Sequence, residues 1–273
     1  MATIEGIILK IKEVKPELHP VVQNVVKNTV PMIGLCLKSE QSNVAPIVYI
    51  DRMLSDEVSD DDAVAQIIEI LNHNTLDLDI SRFRNRDHIF SNIYLGLQRA
   101  DDNCNYLTKE SPWDNIIEYM YIRDVTGDGS SYSVKVTDSL LENAGIDVFE
   151  AWAAAKKATC NEIDIQSIME VFGEIFPESK LCEFVLPFYI ASNALRVNGA
   201  AVALNEEYIR KWAYDHDFHK VVIIFSSIHE ALLLPIEENE FDLEDISNMM
   251  KEVNSTQVDE VEQLADKAYI LNI

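Results

Sequence analysis

IIEYMYIRDVTGDGSSYSVKV, residues 116–136, decides the fold class. Ile116–Val125 is dense in β-branched and aromatic residues, and Tyr132–Val136 alternates apolar and polar side chains. Between them Gly127-Asp128-Gly129-Ser130 supplies turn residues, so the stretch predicts a β-hairpin. A hairpin makes an antiparallel pair, whereas a doubly wound sheet needs helical crossovers between its strands. The same residues imitate the start of a calcium loop, with oxygens at Asp124, Thr126, Asp128 and Ser130 and a glycine at Gly129. The position that should close such a loop with a bidentate acid is Lys135, and the flanks read as strands rather than helices. The turn reading is the stronger.

Working outward, the order of elements stays irregular. Ile4, Ile7, Ile8 and Ile11 mark one face of a short helix ended by Pro16 and Pro20. Val21–Val30 and Met32–Leu37 predict two short strands separated at Pro31, and Ile47–Ile50 a third. Ser59, followed by Asp60, Asp61 and Asp62, reads as a helix start, with Ala63, Ile67, Ile70 and Leu71 at helical spacing. Arg86–Arg99 predicts a further helix. After the hairpin, Leu140–Ala158 is helical with a break near Gly145, Phe184–Ala191 is strand-like, and Asn198-Gly199 is a turn before an apolar run. Asn205 caps a helix through Trp212, Val221–Phe225 and Ile228–Leu234 are strands, and Ala268–Ile273 is a last strand. Asp242–Met250 and Asp259–Lys267 read as acidic helices. The expected class is α+β, with mixed or antiparallel short-strand sheets and packed helices. Polar segments at 100–113 suggest two lobes, 1–105 and 106–273, or one two-lobed unit.

Charge narrows the partners. Against 22 Lys and Arg stand 47 Asp and Glu, a net −25 that repels nucleic-acid phosphates and anionic membrane faces. The charge reads first as solubility in a crowded cytosol and second as an acidic surface that engages a basic protein partner, and direct nucleic-acid binding is not expected. No run is long and apolar enough to span a membrane, and the start lacks the pattern of a secretory leader, so a cytoplasmic setting is expected. Cys36, Cys104, Cys160 and Cys182 are too far apart for a CxxC site and read as buried free thiols.

Three groupings could carry chemistry. Ser226-Ser227-Ile228-His229-Glu230 gathers a nucleophile, a base and an acid; on a strand Ser227 and His229 would share one face. A hydrolase would also require an acid behind His229 and an oxyanion hole, and no GxSxG elbow is present. His216 and His219, among Asp215 and Asp217, could converge on an ion, but no third ligand is evident and no metal is expected. The eight scattered glycines form no phosphate-binding loop, and no cofactor is expected.

NVVKNTVPMIGLCLKSEQSNVAPIVYIDRML (residues 24–54), FYIASNALRVNGAAVAL (188–204), VVIIFSSIHEALLLP (221–235) and MMKEVNSTQVD (249–259) together resemble an uncharacterised family. It is a domain of unknown function of gut-associated Firmicutes bacteria, and the resemblance spans most of residues 20–260. It implies a cytosolic bacterial protein and brings no activity, cofactor or catalytic residue. Matching its pattern makes Asn198, Ser226, Asn254 and Gln257 candidate binding positions, and Gly199 a further position to test, beside the catalytic candidates Ser227, His229 and Glu230. Two functions are therefore expected. The first is a non-enzymatic acidic protein that binds another protein through an acidic or edge-strand surface. The alternative is a hydrolase of unfamiliar type using Ser227 and His229.

Overall fold

A computed structural model describes residues 2–39, 45–55, 57–73, 79–125, 131–175, 188–236 and 243–273. The described residues form two compact units, one up to Ile80 and the other from Ser81 onward. The polar stretch 100–113 lies inside the second unit, between strands of one sheet. The class is α+β, and its three sheets are antiparallel throughout.

In the first unit α1 (Ile4–Val14) starts at Thr3, whose hydroxyl accepts from the Gly6 N–H at 3.1 Å. The Asp60 carboxylate accepts from the Thr3 N–H at 2.8 Å, at the start of α2 (Asp60–His73). Ile7 and Ile11 of α1 and Ala63 and Ile67 of α2 then bury against Leu35, Leu37 and Val48 of a three-stranded sheet and Ile50 just beyond it. Its strands are β1 (Leu18–Lys27), β2 (Val30–Ser39) and β3 (Ile47–Tyr49), in the order β1-β2-β3.

The hairpin turns at Asn28-Thr29, both with positive φ (51° and 69°), rather than at Pro31 as the sequence suggests. Pro31 is tolerated inside β2 for a directional reason. The Ile33 carbonyl accepts from the Ile50 N–H, and the Leu37 N–H donates to the Pro46 carbonyl, so odd-numbered residues of β2 look toward β3. Pro31 shares that direction but lies beyond the β3 pairing, where a missing N–H costs no ladder bond.

In the second unit α3 (Arg86–Asn92) ends where β4 (Ile93–Arg99) begins. The single helix expected over 86–99 is therefore half strand. Ile93, Leu95 and Leu97 are buried, and Gly96 leaves space for the Tyr119 ring on the paired strand. That partner, β6 (Ile116–Val125), pairs with β4 along one side and with β5 (Thr108–Glu110) and β7 (Ser131–Lys135) along the other. The Val125–Ser131 pairing brackets the expected turn, which itself lies outside the described residues. Asp124, first oxygen of the calcium-like pattern, is already engaged. Burial opposes its ionisation, but the Val125 N–H, Tyr132 and Arg82 outweigh that and hold the carboxyl below the usual range.

Helices α4 (Asp138–Ala144) and α5 (Val148–Asn161) follow, then β8 (Asp164–Ser167), α6 (Ile168–Ile175) and β9 (Tyr189–Ser192). The strand expected over 184–191 is described only from its later part. Next come α7 (Glu206–Asp215), β10 (Lys220–Ile224), β11 (Ala231–Ile236), α8 (Leu243–Gln257) and β12 (Ala268–Asn272). The sheet order is β12-β10-β11-β9-β8. Val221 and Ile223 of β10 enter the larger core, while Val222 and Ile224 pack under Ile246 and Met250 of α8. Residues 259–267, expected to be helical, instead form a turn and an extended segment bridged to Ser227 at Gln263. Cys36 is a buried free thiol, Cys104 and Cys160 are half-buried ones, and Cys182 is outside the described residues.

Thr29 is a β-branched residue held in the left-handed region, a strain of about 1–2 kcal/mol. Glycine gives back about 0.5–1 kcal/mol of that as lost chain entropy. Thr29→Gly is expected to stabilise the first unit by up to about 1 kcal/mol, read as a higher denaturation midpoint at unchanged slope.

Candidate functional site

Six of the eight positions singled out in the sequence lie near the connection between β10 and β11, which is a loop rather than one continuous strand. Residues 225–228 are pinned to 262–265. The Ala265 N–H donates to the Phe225 carbonyl at 2.8 Å, Leu264 to Ser226 at 3.3 Å, and Ile228 to Glu262 at 2.8 Å. On the other side the Ala200 N–H donates to the Ile228 carbonyl and the Ser192 hydroxyl to the His229 carbonyl. Gly199 sits under this contact. A side chain there would meet Ser192 Oγ at 2.1 Å and the His229 carbonyl oxygen at 2.5 Å. Asn198 precedes it in the left-handed region (φ 52°), which explains the Asn-Gly pair without reference to a ligand.

The imidazole of His229 has both ring nitrogens facing partners. Nδ1 accepts from the Asn198 backbone N–H at 3.3 Å, and Nε2 lies 3.5 Å from Glu262 Oε1. The Ser227 hydroxyl accepts from the backbone N–H of His229 at 2.9 Å. The serine and histidine are thus adjacent, but their hydrogen bond closes a backbone turn. A nucleophile–base pair requires the serine hydroxyl to donate to a ring nitrogen. Burial pushes the Glu230 carboxyl up, against the lowering influence of His229, Ser227 and Arg196.

Asn254 is 2% exposed and acts one layer away, donating from Nδ2 to the Ala265 carbonyl. Gln257, at the end of α8, is exposed and stands apart from the loop. Gln263 is a residue that pattern reading missed: Nε2 donates to the Asn254 and Val258 carbonyls, and Oε1 accepts from Arg99. Only the fold reveals it, since an isolated Gln in a polar stretch carries no signal.

His216 donates from Nδ1 to the Trp212 carbonyl at 2.7 Å and stacks on Phe218, which orients it toward packing rather than toward His219. Among the described residues no group of three His, Cys, Asp or Glu side chains is arranged to hold a metal ion, and no helix is long and apolar enough to cross a membrane.

The first unit presents a different kind of surface. Because odd-numbered residues of β2 look toward β3, Met32, Gly34 and Cys36 bond toward β1, through Val25, Gln23 and Val21. The alternate residues Val22, Asn24 and Val26 therefore turn their N–H and C=O groups outward from the sheet, at its edge. Val22 and Val26 are 39% and 54% exposed. Pro20 bounds this edge at one end and the hairpin turn at the other. From Leu18 to Ser39 there is no Asp or Glu, in a chain that has 47. That gap was readable in the sequence; that it coincides with an open strand edge was not.

A family model described as a family of unknown function, DUF5688, matches residues 7–272, and the chain belongs to that family. No curated protein and no solved structure matches it.

Two outcomes test the loop. Gly199→Ala is expected to cost about 1–3 kcal/mol by overpacking, measured by chemical denaturation, and Ser192→Ala in the same chain to recover part of it. For Glu230 the folded-state pKa is raised, so its contribution is present below the unfolded value and lost as pH rises through the folded one. Glu230→Gln is therefore expected to raise the melting temperature at neutral pH. The gain should vanish below the ordinary carboxylate range.

Proposed function

We propose that the chain is a non-enzymatic acidic protein of the bacterial cytoplasm, in the gut-associated Firmicutes that the sequence resemblance implies, and that it associates with protein through the outer edge of β1. The observation that carries this reading is the run of outward N–H and C=O groups at Val22, Asn24 and Val26, within an acid-free hairpin of a chain of net charge −25. An added strand would complete the hydrogen bonds of that edge and cover its valines, the usual energetics of strand addition. Acidic side chains elsewhere would raise the cost for most anionic macromolecules, leaving the hairpin as the surface of least repulsion.

The alternative, a hydrolase using Ser227 and His229 with an acid from elsewhere in the chain, draws support from the adjacency of the two and from Glu262 Oε1, 3.5 Å from His229 Nε2. It is the weaker reading, because the Asn198 N–H occupies the Nδ1 lone pair and the Ser227 hydroxyl serves a backbone turn.

Asn24→Pro removes an outward N–H while leaving the β1–β2 ladder its bonds. Tagged wild type and Asn24→Pro, purified from the same cells at stepped salt, should differ in what they retain. A stoichiometric protein lost with Asn24→Pro, with far-UV circular dichroism unchanged, is the expected result. A partner kept by the variant and shed as salt rises would assign binding to the acidic surface instead.

A further inference from the structure

We infer that the strand paired with β1 is β1 of a second copy of this chain, joined antiparallel about a two-fold axis at Asn24. This rests on the edge reading above and names its partner.

Symmetry and backbone direction select the register. Two copies of one strand, side by side and antiparallel, are related by an axis normal to the sheet, so facing residues have the same parity. Only outward residues can exchange bonds, and these are Val22, Asn24 and Val26. An axis at Asn24 pairs Asn24 with its own copy and Val22 with Val26 of the partner subunit, so each outward N–H and C=O finds a partner. Axes at Val22 or Gln23 would bring Pro20, which has no N–H, into the bonded set. Axes further along would push the pairing onto the turn at Asn28 and Thr29. At the Asn24 axis the two half-exposed valines meet on one face, and Val25 meets Gln23 on the other.

Charge favours a copy at this edge in particular. Two chains of net −25 repel, and they can approach with least cost where neither presents a carboxylate. The hairpin supplies such a surface, with His19, Lys27 and Lys38 and no acid over Leu18–Ser39. The paired edges would join two three-stranded sheets into one of six strands. On the face opposite α1 and α2, Val21, Val25, Met32, Ile47 and Tyr49 would become continuous. Association by this route strengthens as salt screens the repulsion, the reverse of binding between an acidic surface and a basic partner.

Sedimentation velocity of the full chain over a dilution series, at about 0.02 M and about 0.3 M salt, reads both features. The expected result is a monomer–dimer equilibrium, shifted toward dimer by several-fold at the higher salt. The V22E/V26E double variant should be monomeric, because it sets carboxylates opposite each other across the axis. The V22E/V26K double variant sets opposite charges in those positions and should regain the dimer at low salt. These substitutions are on exposed side chains, and circular dichroism controls for folding. A wild type that stays monomeric throughout, or a V22E/V26K variant no better than V22E/V26E, overturns the inference. If the wild type is monomeric yet Asn24→Pro still loses a protein recovered from cells, the second copy is wrong and the edge reading survives. If Asn24→Pro changes neither readout, both fall.

Discussion

β10 must bury both of its faces, and much of the second unit follows from that requirement. Val221, Val222, Ile223 and Ile224 are all apolar, so neither side of the strand can face water without loss. One face is met by the core that β4, β6 and α5 also share, the other by α8 through Ile246 and Met250. The strands beside it, β11 and β12, complete its hydrogen bonds. The loop leaving β10 is then held between residues 262–265 and the Ser192–Ala200 segment, and this is where most of the candidate site residues meet. Their convergence is a consequence of packing.

That origin shapes what the loop can do. Gly199, Asn198, Ser192 and Ser227 each satisfy a backbone group or a steric limit of the turn. A cluster built this way spends part of its polar capacity on the turn itself: the Ser192 O–H is given to the His229 carbonyl and the Nδ1 lone pair of His229 to the Asn198 N–H. The first unit is the converse case. Its strand β1 leaves backbone groups turned out at a sheet edge, and natural sheets usually blunt such edges with proline or lysine. Here Pro20 and Lys27 stand at the two ends and the stretch Val22–Val26 between them is unguarded. In so acidic a chain the lack of a single carboxylate over that hairpin marks it as different from the rest of the surface.

Local chemistry was legible where it is decided locally. The α+β class, the pairing of β6 with β7, the helix starts at Ser59 and Asn205 and the turn at Asn198-Gly199 depend on residues a few positions apart. The same logic failed where a long-range partner overrules propensity. Arg86–Arg99 carries a helical pattern over its first half, but pairing with β6 draws Ile93–Arg99 into a strand. Residues 259–267 read as an acidic helix but are extended over Gln263–Ala265, because Gln263 bridges to Ser227 and the neighbouring N–H groups bond to Phe225 and Ser226.

The sequence by itself determined the charge, the absence of acid over Leu18–Ser39, the apolar strands and the family-like segments, because these are properties of residue order. The tertiary structure alone decided which backbone groups of β1 turn outward and that His229 faces Asn198 and Glu262. Those outcomes depend on strand register and on contacts between residues tens of positions apart. A shift of one residue in register reverses which groups point out, and the register follows from the turn at Asn28-Thr29, where residue order alone suggested a break at Pro31.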